Sequence, residues 1–187
     1  PIYQCAEKGG FGVLDEINMA KNESLAVLHA TLDFRRAIDM PGYDRIPLHG
    51  ATRFIATMNY GYAGTRELNE ALTSRFVVID MPAIPEEGLQ KLLTREFPNL
   101  KTDYALQFAG LFRDIQKKCD GGELSTKPLD LRGLMASVRL MAAGLNGGRA
   151  LELGLVNKSF DDFERQLVQD VIRTRLPDDL SAKDVFN

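Results

Sequence analysis

The chain has no tryptophan, two cysteines and two histidines in 187 residues, and each scarcity closes off a class of chemistry. Cys5 and Cys119 stand far apart with no Cys-x-x-Cys spacing. That argues against a disulfide framework or a zinc site and suits a reducing, cytoplasmic setting. His29 and His49 are isolated, with no partner at metal-ligand or triad spacing, and no Ser/His/Asp or Cys/His arrangement stands out. Basic charge is not in excess. The formal net charge of −3 supplies no global field for nucleic acid. No apolar run approaches the ~18 residues of a membrane span. No secretory leader is visible, but Pro1 in place of Met is what a segment cut from a longer protein shows, so that absence says little.

What is present is more pointed. Gly10-Phe11-Gly12-Val13-Leu14 is a short apolar run that breaks into the acids Asp15 and Glu16, the pattern of a strand buried on both faces. Adjacent acids at a strand's carboxyl end sit where parallel α/β sheets keep their ligands. An Asp there can hold Mg²⁺ through water, and a Glu beside it can orient or deprotonate an attacking water. Taken alone the pattern is common, and a strand followed by a solvated turn is its usual explanation. The following stretches add weight. Leu25, Leu28 and Leu32 space a helix over residues 23–32, and Phe54-Ile55-Ala56-Thr57-Met58-Asn59 is a second apolar strand ending in a polar side chain. A helix-compatible segment, 68–74, leads through Arg75 into a third apolar run at 76–80. Strand, helix, strand with polar residues at both strand ends is a βαβ unit presenting a site, equipped with the carboxylates, amide and arginine that phosphoryl transfer uses.

These residues resemble a known family. GFGVLDEINMA (10–20) looks like the Walker B strand of AAA+ ATPases, FIATMN (54–59) like their sensor 1 strand, ALTSRF (71–76) like the arginine-finger helix, and LDLRGL (129–134) like the sensor 2 position. The DEIN wording and its spacing to ATMN most resemble the MoxR and dynein-related branch, which includes midasin-like and McrB-like members. The resemblance implies a partial P-loop-type parallel sheet over 1–82, with an extra β-hairpin before sensor 1, then an α-helical lid over 83–187. It implies ATP and Mg²⁺ as cofactors, with Asp15 on the metal, Glu16 polarising water, Asn59 placing that water, Arg75 acting on a neighbouring subunit's nucleotide and Arg132 sensing the phosphates from the lid. It further implies a hexameric ring that remodels a partner protein, with von Willebrand factor A-domain proteins as one partner class. The chain departs from the family at one point: no Gly-x-x-x-x-Gly-Lys-Ser/Thr occurs in it. By itself it is therefore expected not to bind ATP tightly. In the resembled sheet the strand before that loop lies between the sensor 1 strand and 76–80, so the chain alone is expected to self-associate, rearrange, or leave 76–80 poorly anchored.

Other segments are read with their alternatives. Pro41-Gly42 turns a hairpin within 35–48, either a plain surface hairpin or one that presents Tyr43 to a ring pore or a client. After Pro82, apolar stripes predict helices over 86–97, 103–118, 131–143 and 161–176, with Pro98 and Pro177 as stops. Arg132 is either sensor 2 or a partner of Asp130. Arg66 is the second candidate finger, and Asn18 is expected to cap the helix that follows it. Two other functional classes stay open: a non-hydrolysing AAA+-fold scaffold or regulatory module, and a McrB-like GTPase subunit of a DNA restriction system.

Overall fold

The computed structural model describes residues 2–59 and 67–187. The chain forms two compact units, Pro1–Met81 and Pro82–Asn187. The first opens with helix α1 (Ile2–Lys8), which turns at Gly9 into strand β1 (Gly10–Leu14). A 3₁₀ turn (Ile17–Met19) follows, then α2 (Asn22–Leu25), α3 (Val27–Leu32), the two-residue strands β2 (Ala37–Ile38) and β3 (Ile46–Pro47), and strand β4 (Thr52–Ala56). Helix α4 (Glu70–Thr73) is capped by Asn69, whose side-chain oxygen accepts the Leu72 N–H at 3.0 Å.

β1 and β4 pair in parallel, with Gly12 opposite Phe54 and Leu14 opposite Ala56. Gly12 has to be glycine, because a Cβ there would lie 2.7 Å from the Phe54 ring. Parallel pairing requires a crossover, and the α2–α3 and hairpin segments provide it. The expected βαβ unit is therefore present, but the sheet is not buried on both faces. Side chains alternate along a strand. Leu14 and Ala56 face a core of Ile17, Leu25, Leu28 and Leu72, whereas Phe11 (73% exposed), Val13 and Ile55 line the other, open face.

The helix expected over 23–32 is two helices. At Ala26 the ladder tightens to three-residue bonds, Ala26 N–H to Glu23 O (3.4 Å) and His29 N–H to Ala26 O (3.2 Å), which separates α2 from α3. The hairpin forms as expected. Tyr43 N–H donates to Met40 O at 3.1 Å around Pro41 and Gly42, the latter at φ 84°, and Tyr43 is exposed at the tip. The strand expected over 76–80 does not form. Its backbone finds no ladder among the described strands, and Val77 (92% exposed) and Ile79 (77%) project into solvent.

The second unit is helical: α5 (Glu86–Glu96), α6 (Thr102–Asp120), α7 (Leu131–Ala142), α8 (Gly147–Gly154), a 3₁₀ turn (Val156–Lys158), α9 (Asp162–Arg173) and α10 (Ala182–Val185). The aromatic and methionine stripes are core, as their spacing predicts: Leu89, Leu93, Phe108, Leu111, Ile115, Leu134, Val138 and Met141 are fully buried together. α8 escapes a reading of periodicity because glycines stand at both its ends. Those glycines serve packing instead. A Cβ on Gly133 of α7 would lie 2.1 Å from the Gly154 carbonyl oxygen, so the two backbones touch where neither residue has a side chain. Among the described residues no helix is long and apolar enough to cross a membrane.

Candidate functional site

The parallel register brings the ends of β1 and β4 together, and Thr57, the first residue past β4, joins them. Its N–H donates to Leu14 O and its carbonyl accepts from Ile17 N–H, both at 3.0 Å. Its hydroxyl accepts the Glu16 N–H at 3.0 Å and donates to Asp15 Oδ1 at 2.5 Å. Asp15 and Glu16 are both exposed at this end of the sheet. Glu16 adopts the left-handed conformation (φ 51°, ψ 44°), which costs an ordinary residue about 1–2 kcal/mol. That bend turns the chain out of the strand direction and into the 3₁₀ turn.

Asn18 does not cap a helix; Lys21 occupies the N-cap position of α2. Instead Asn18 is 2% exposed and its Nδ2 donates to the Asn59 carbonyl at 2.8 Å, a second tie between the strand ends. Its Oδ1 is buried and has no partner among the described residues. Asp15, Glu16 and Asn59 are thus brought to one end of the strands, with Asn59 exposed and tied to Asn18 through its backbone carbonyl. Thr57 and the anchoring role of Asn18 were missed in the sequence. The available signal was a hydroxyl closing an apolar strand, and its meaning depends on the register with β1.

Arg75 is held elsewhere in the unit. Its Nη2 lies 3.5 Å from Asp33 Oδ2 at the end of α3, and its Nη1 donates to the Ala71 carbonyl. Its Nε is buried without a partner among the described residues. Asp33 is gripped chiefly by Arg35, at 2.7 Å, and then by Arg75, which together hold its carboxyl far below the usual carboxylate range. Arg66 lies outside the described residues.

In the second unit, Arg132 is exposed on the first turn of α7. Its side chain does not form the pair with Asp130 that is the alternative to a sensor 2 role. One Asp130 oxygen caps the helix by accepting the Arg132 backbone N–H (2.9 Å), and the other meets Lys158 Nζ at 3.2 Å. The histidines are ordinary, as expected: His49 Nδ1 accepts the Ala51 N–H at 3.1 Å, and His29 is half-buried on α3. Both cysteines are free, and burial pushes the Cys119 thiol up.

A cation would find in Asp15 one exposed carboxylate with one oxygen engaged by Thr57. Mg²⁺ is commonly held in this way, through one or two carboxylates completed by water and phosphate oxygens, so the donor set fits it. Among the described residues no group of three or more His, Cys, Asp or Glu could cage a metal by itself.

Residues 1–76 match the family model described as AAA domain (dynein-related subfamily). That match supports an AAA+ ATPase assignment for this segment, and an α/β unit with a small parallel sheet followed by helices is compatible with a partial AAA+ fold. Over 176 residues the chain is 35% identical to the uncharacterized protein YojN of Bacillus subtilis, covering 93% of this chain and 57% of that protein. It is 31% identical to uncharacterized proteins of Staphylococcus epidermidis and Staphylococcus aureus, covering 92% of this chain and 65% of each. The chain therefore spans about three-fifths of the length of these relatives.

Proposed function

We propose that this chain is part of an ATP-binding and ATP-hydrolysing AAA+ protein, to which it contributes the Walker B strand, the sensor 1 strand and an α-helical lid. The observation that carries this is the convergence of Asp15, Glu16 and Asn59 at one end of two parallel strands, inside the segment that matches the dynein-related AAA model. The phosphate-binding loop would come from the part of the protein outside this chain. Asp15 would hold Mg²⁺ through water, and Mg²⁺, when bound with the nucleotide, offsets charge on the phosphate oxygens. The Glu16 carboxylate polarises the attacking water, and the exposed Asn59 side chain helps place it. Arg75 acts on the nucleotide of a neighbouring subunit, exchanging its contact with Asp33 for phosphate oxygens, and Arg132 reports nucleotide state from the lid. The assembly is a MoxR-like ring, hexameric, that remodels a partner protein, with a von Willebrand factor A-domain protein as the partner class this branch offers.

The test is ATP hydrolysis by the full-length protein beside its Glu16→Gln variant. Turnover that Glu16→Gln abolishes is the expected result. Absence of both turnover and ATP binding in the wild type would move the protein to the scaffold class, and GTP turnover without ATP turnover would move it to the McrB-like class.

A further inference from the structure

We infer that Thr57 is a positioning residue that sets both carboxylates of the acid pair through its hydroxyl; this rests on the proposed ATPase site. The backbone of Thr57 already completes the strand pairing, N–H to Leu14 and carbonyl to Ile17. The strand pairing uses only the Thr57 backbone, so the hydroxyl is free to serve the residues at the end of β1.

The direction of its two bonds is fixed by chemistry. A threonine hydroxyl has one hydrogen and two lone pairs. The Glu16 N–H can only donate, so the oxygen accepts there, and the hydroxyl hydrogen is left for Asp15 Oδ1. One oxygen atom thus orients the Asp15 carboxylate and satisfies the backbone N–H of a residue held in a conformation non-glycine side chains disfavour. Backbone outliers persist where their surroundings over-determine them, and here the flanking bonds of Ile17 N–H and Glu16 N–H both end on Thr57. The left-handed bend at Glu16 directs the chain into the 3₁₀ turn that carries Asn18, whose amide then fixes the Asn59 carbonyl. Loss of the hydroxyl frees Asp15, leaves the Glu16 N–H without its acceptor, and loosens the angle at which Glu16 meets the water that Asn59 places.

The experiment compares wild type, Thr57→Val, Thr57→Ser and Glu16→Gln in the full-length protein, with kcat and KM for ATP measured separately. Thr57→Val is expected to lower kcat by about 10–100-fold, the usual effect of losing a partner that orients a ligand or catalytic group, while KM changes by less than about threefold. Thr57→Ser, which keeps the hydroxyl, is expected to retain most of the wild-type kcat. Wild-type kcat in Thr57→Val, or a Thr57→Ser as impaired as Thr57→Val, overturns the inference while an inactive Glu16→Gln leaves the ATPase site standing. An inactive wild type, or a Glu16→Gln that still turns over, overturns the site itself and the inference with it. Should Thr57→Val fail to fold by circular dichroism, Thr57→Cys takes its place. Its thiol is a weak donor and acceptor, so a kcat between those of Ser and Glu16→Gln is expected, and a wild-type kcat overturns the inference.

Discussion

Arg75 meets Asp33 at 3.5 Å, across the gap between α4 and the end of α3. Arg75 thus shares with Arg35 a carboxylate that Arg35 holds at 2.7 Å.

On the proposed finger role, Arg75→Ala in the full-length protein is expected to lower kcat by roughly 10³-fold or more, with Arg75→Lys giving little recovery, since lysine cannot reproduce the planar fork. Steady-state ATPase assays measure this. A loss below tenfold would leave Arg75 as a tether of α4 to α3 and nothing more.

Asp33 sets a pH dependence. Its carboxyl is held well below the ordinary value of about 4, first by its hydrogen bonds from Arg35 and then by Arg75. A depressed folded-state value means that ionised Asp33 stabilises the fold in full above about pH 4, that this contribution declines as pH falls below it, and that it is lost only as pH falls through the depressed value. Urea unfolding at pH 6 and pH 3 should show wild type ahead of Asp33→Asn at both, with a narrower gap at the lower pH. A gap that is constant with pH would contradict the assignment.

Gly154→Ala should destabilise the helical unit by about 1–3 kcal/mol, even though alanine favours a helix by about 1 kcal/mol over glycine. The new Cβ would stand 2.0 Å from Ser137 Oγ and 2.5 Å from the Gly133 carbonyl oxygen. Adding Ser137→Ala removes only the first of these, so the double variant should not recover wild-type stability in chemical denaturation. Full recovery would mean that the backbones can move apart freely.

The 187-residue chain alone should associate as concentration rises. Phe11, Val13 and Ile55 form an open sheet face, and Val77, Val78, Ile79 and Met81 an exposed apolar run, in the same unit. Val77→Lys with Ile79→Lys should shift light-scattering mass toward the monomer without lowering thermal stability, since neither side chain is packed. A wild-type chain that stays monomeric at tens of micromolar would refute this.

The strand ends that carry Asp15, Glu16 and Asn59 were legible because an apolar run breaking into polar residues leaves few placements. Helices α5, α6, α7 and α9 were legible from their three- and four-residue spacing. The stretch 76–80 has the same apolar, β-branched character as β4, yet strand status depends on a neighbour that its own residues do not encode. Gly147, Gly148 and Gly154 look like breakers, but at least Gly154 is where α8 meets α7 backbone to backbone. Asn18 carries the same amide whether it caps a helix or anchors Asn59, and only tertiary placement separates the two. Thr57 became visible once β1 and β4 were seen in register.

The parallel pairing of β1 with β4 joins positions 42 apart in the chain, Gly10 with Thr52 through Thr57 with Asp15. Such a pairing must close a long loop before any contact rewards it, whereas the neighbouring α5–α6 and α7–α8 contacts close over short stretches. The helix pairs α5–α6 and α7–α8 should therefore acquire hydrogen-exchange protection early in refolding, and Glu16 and Thr57 late. The carboxylates at the strand ends are then set in place after the local helix pairs α5–α6 and α7–α8 have formed, although their own residues come earlier in the chain.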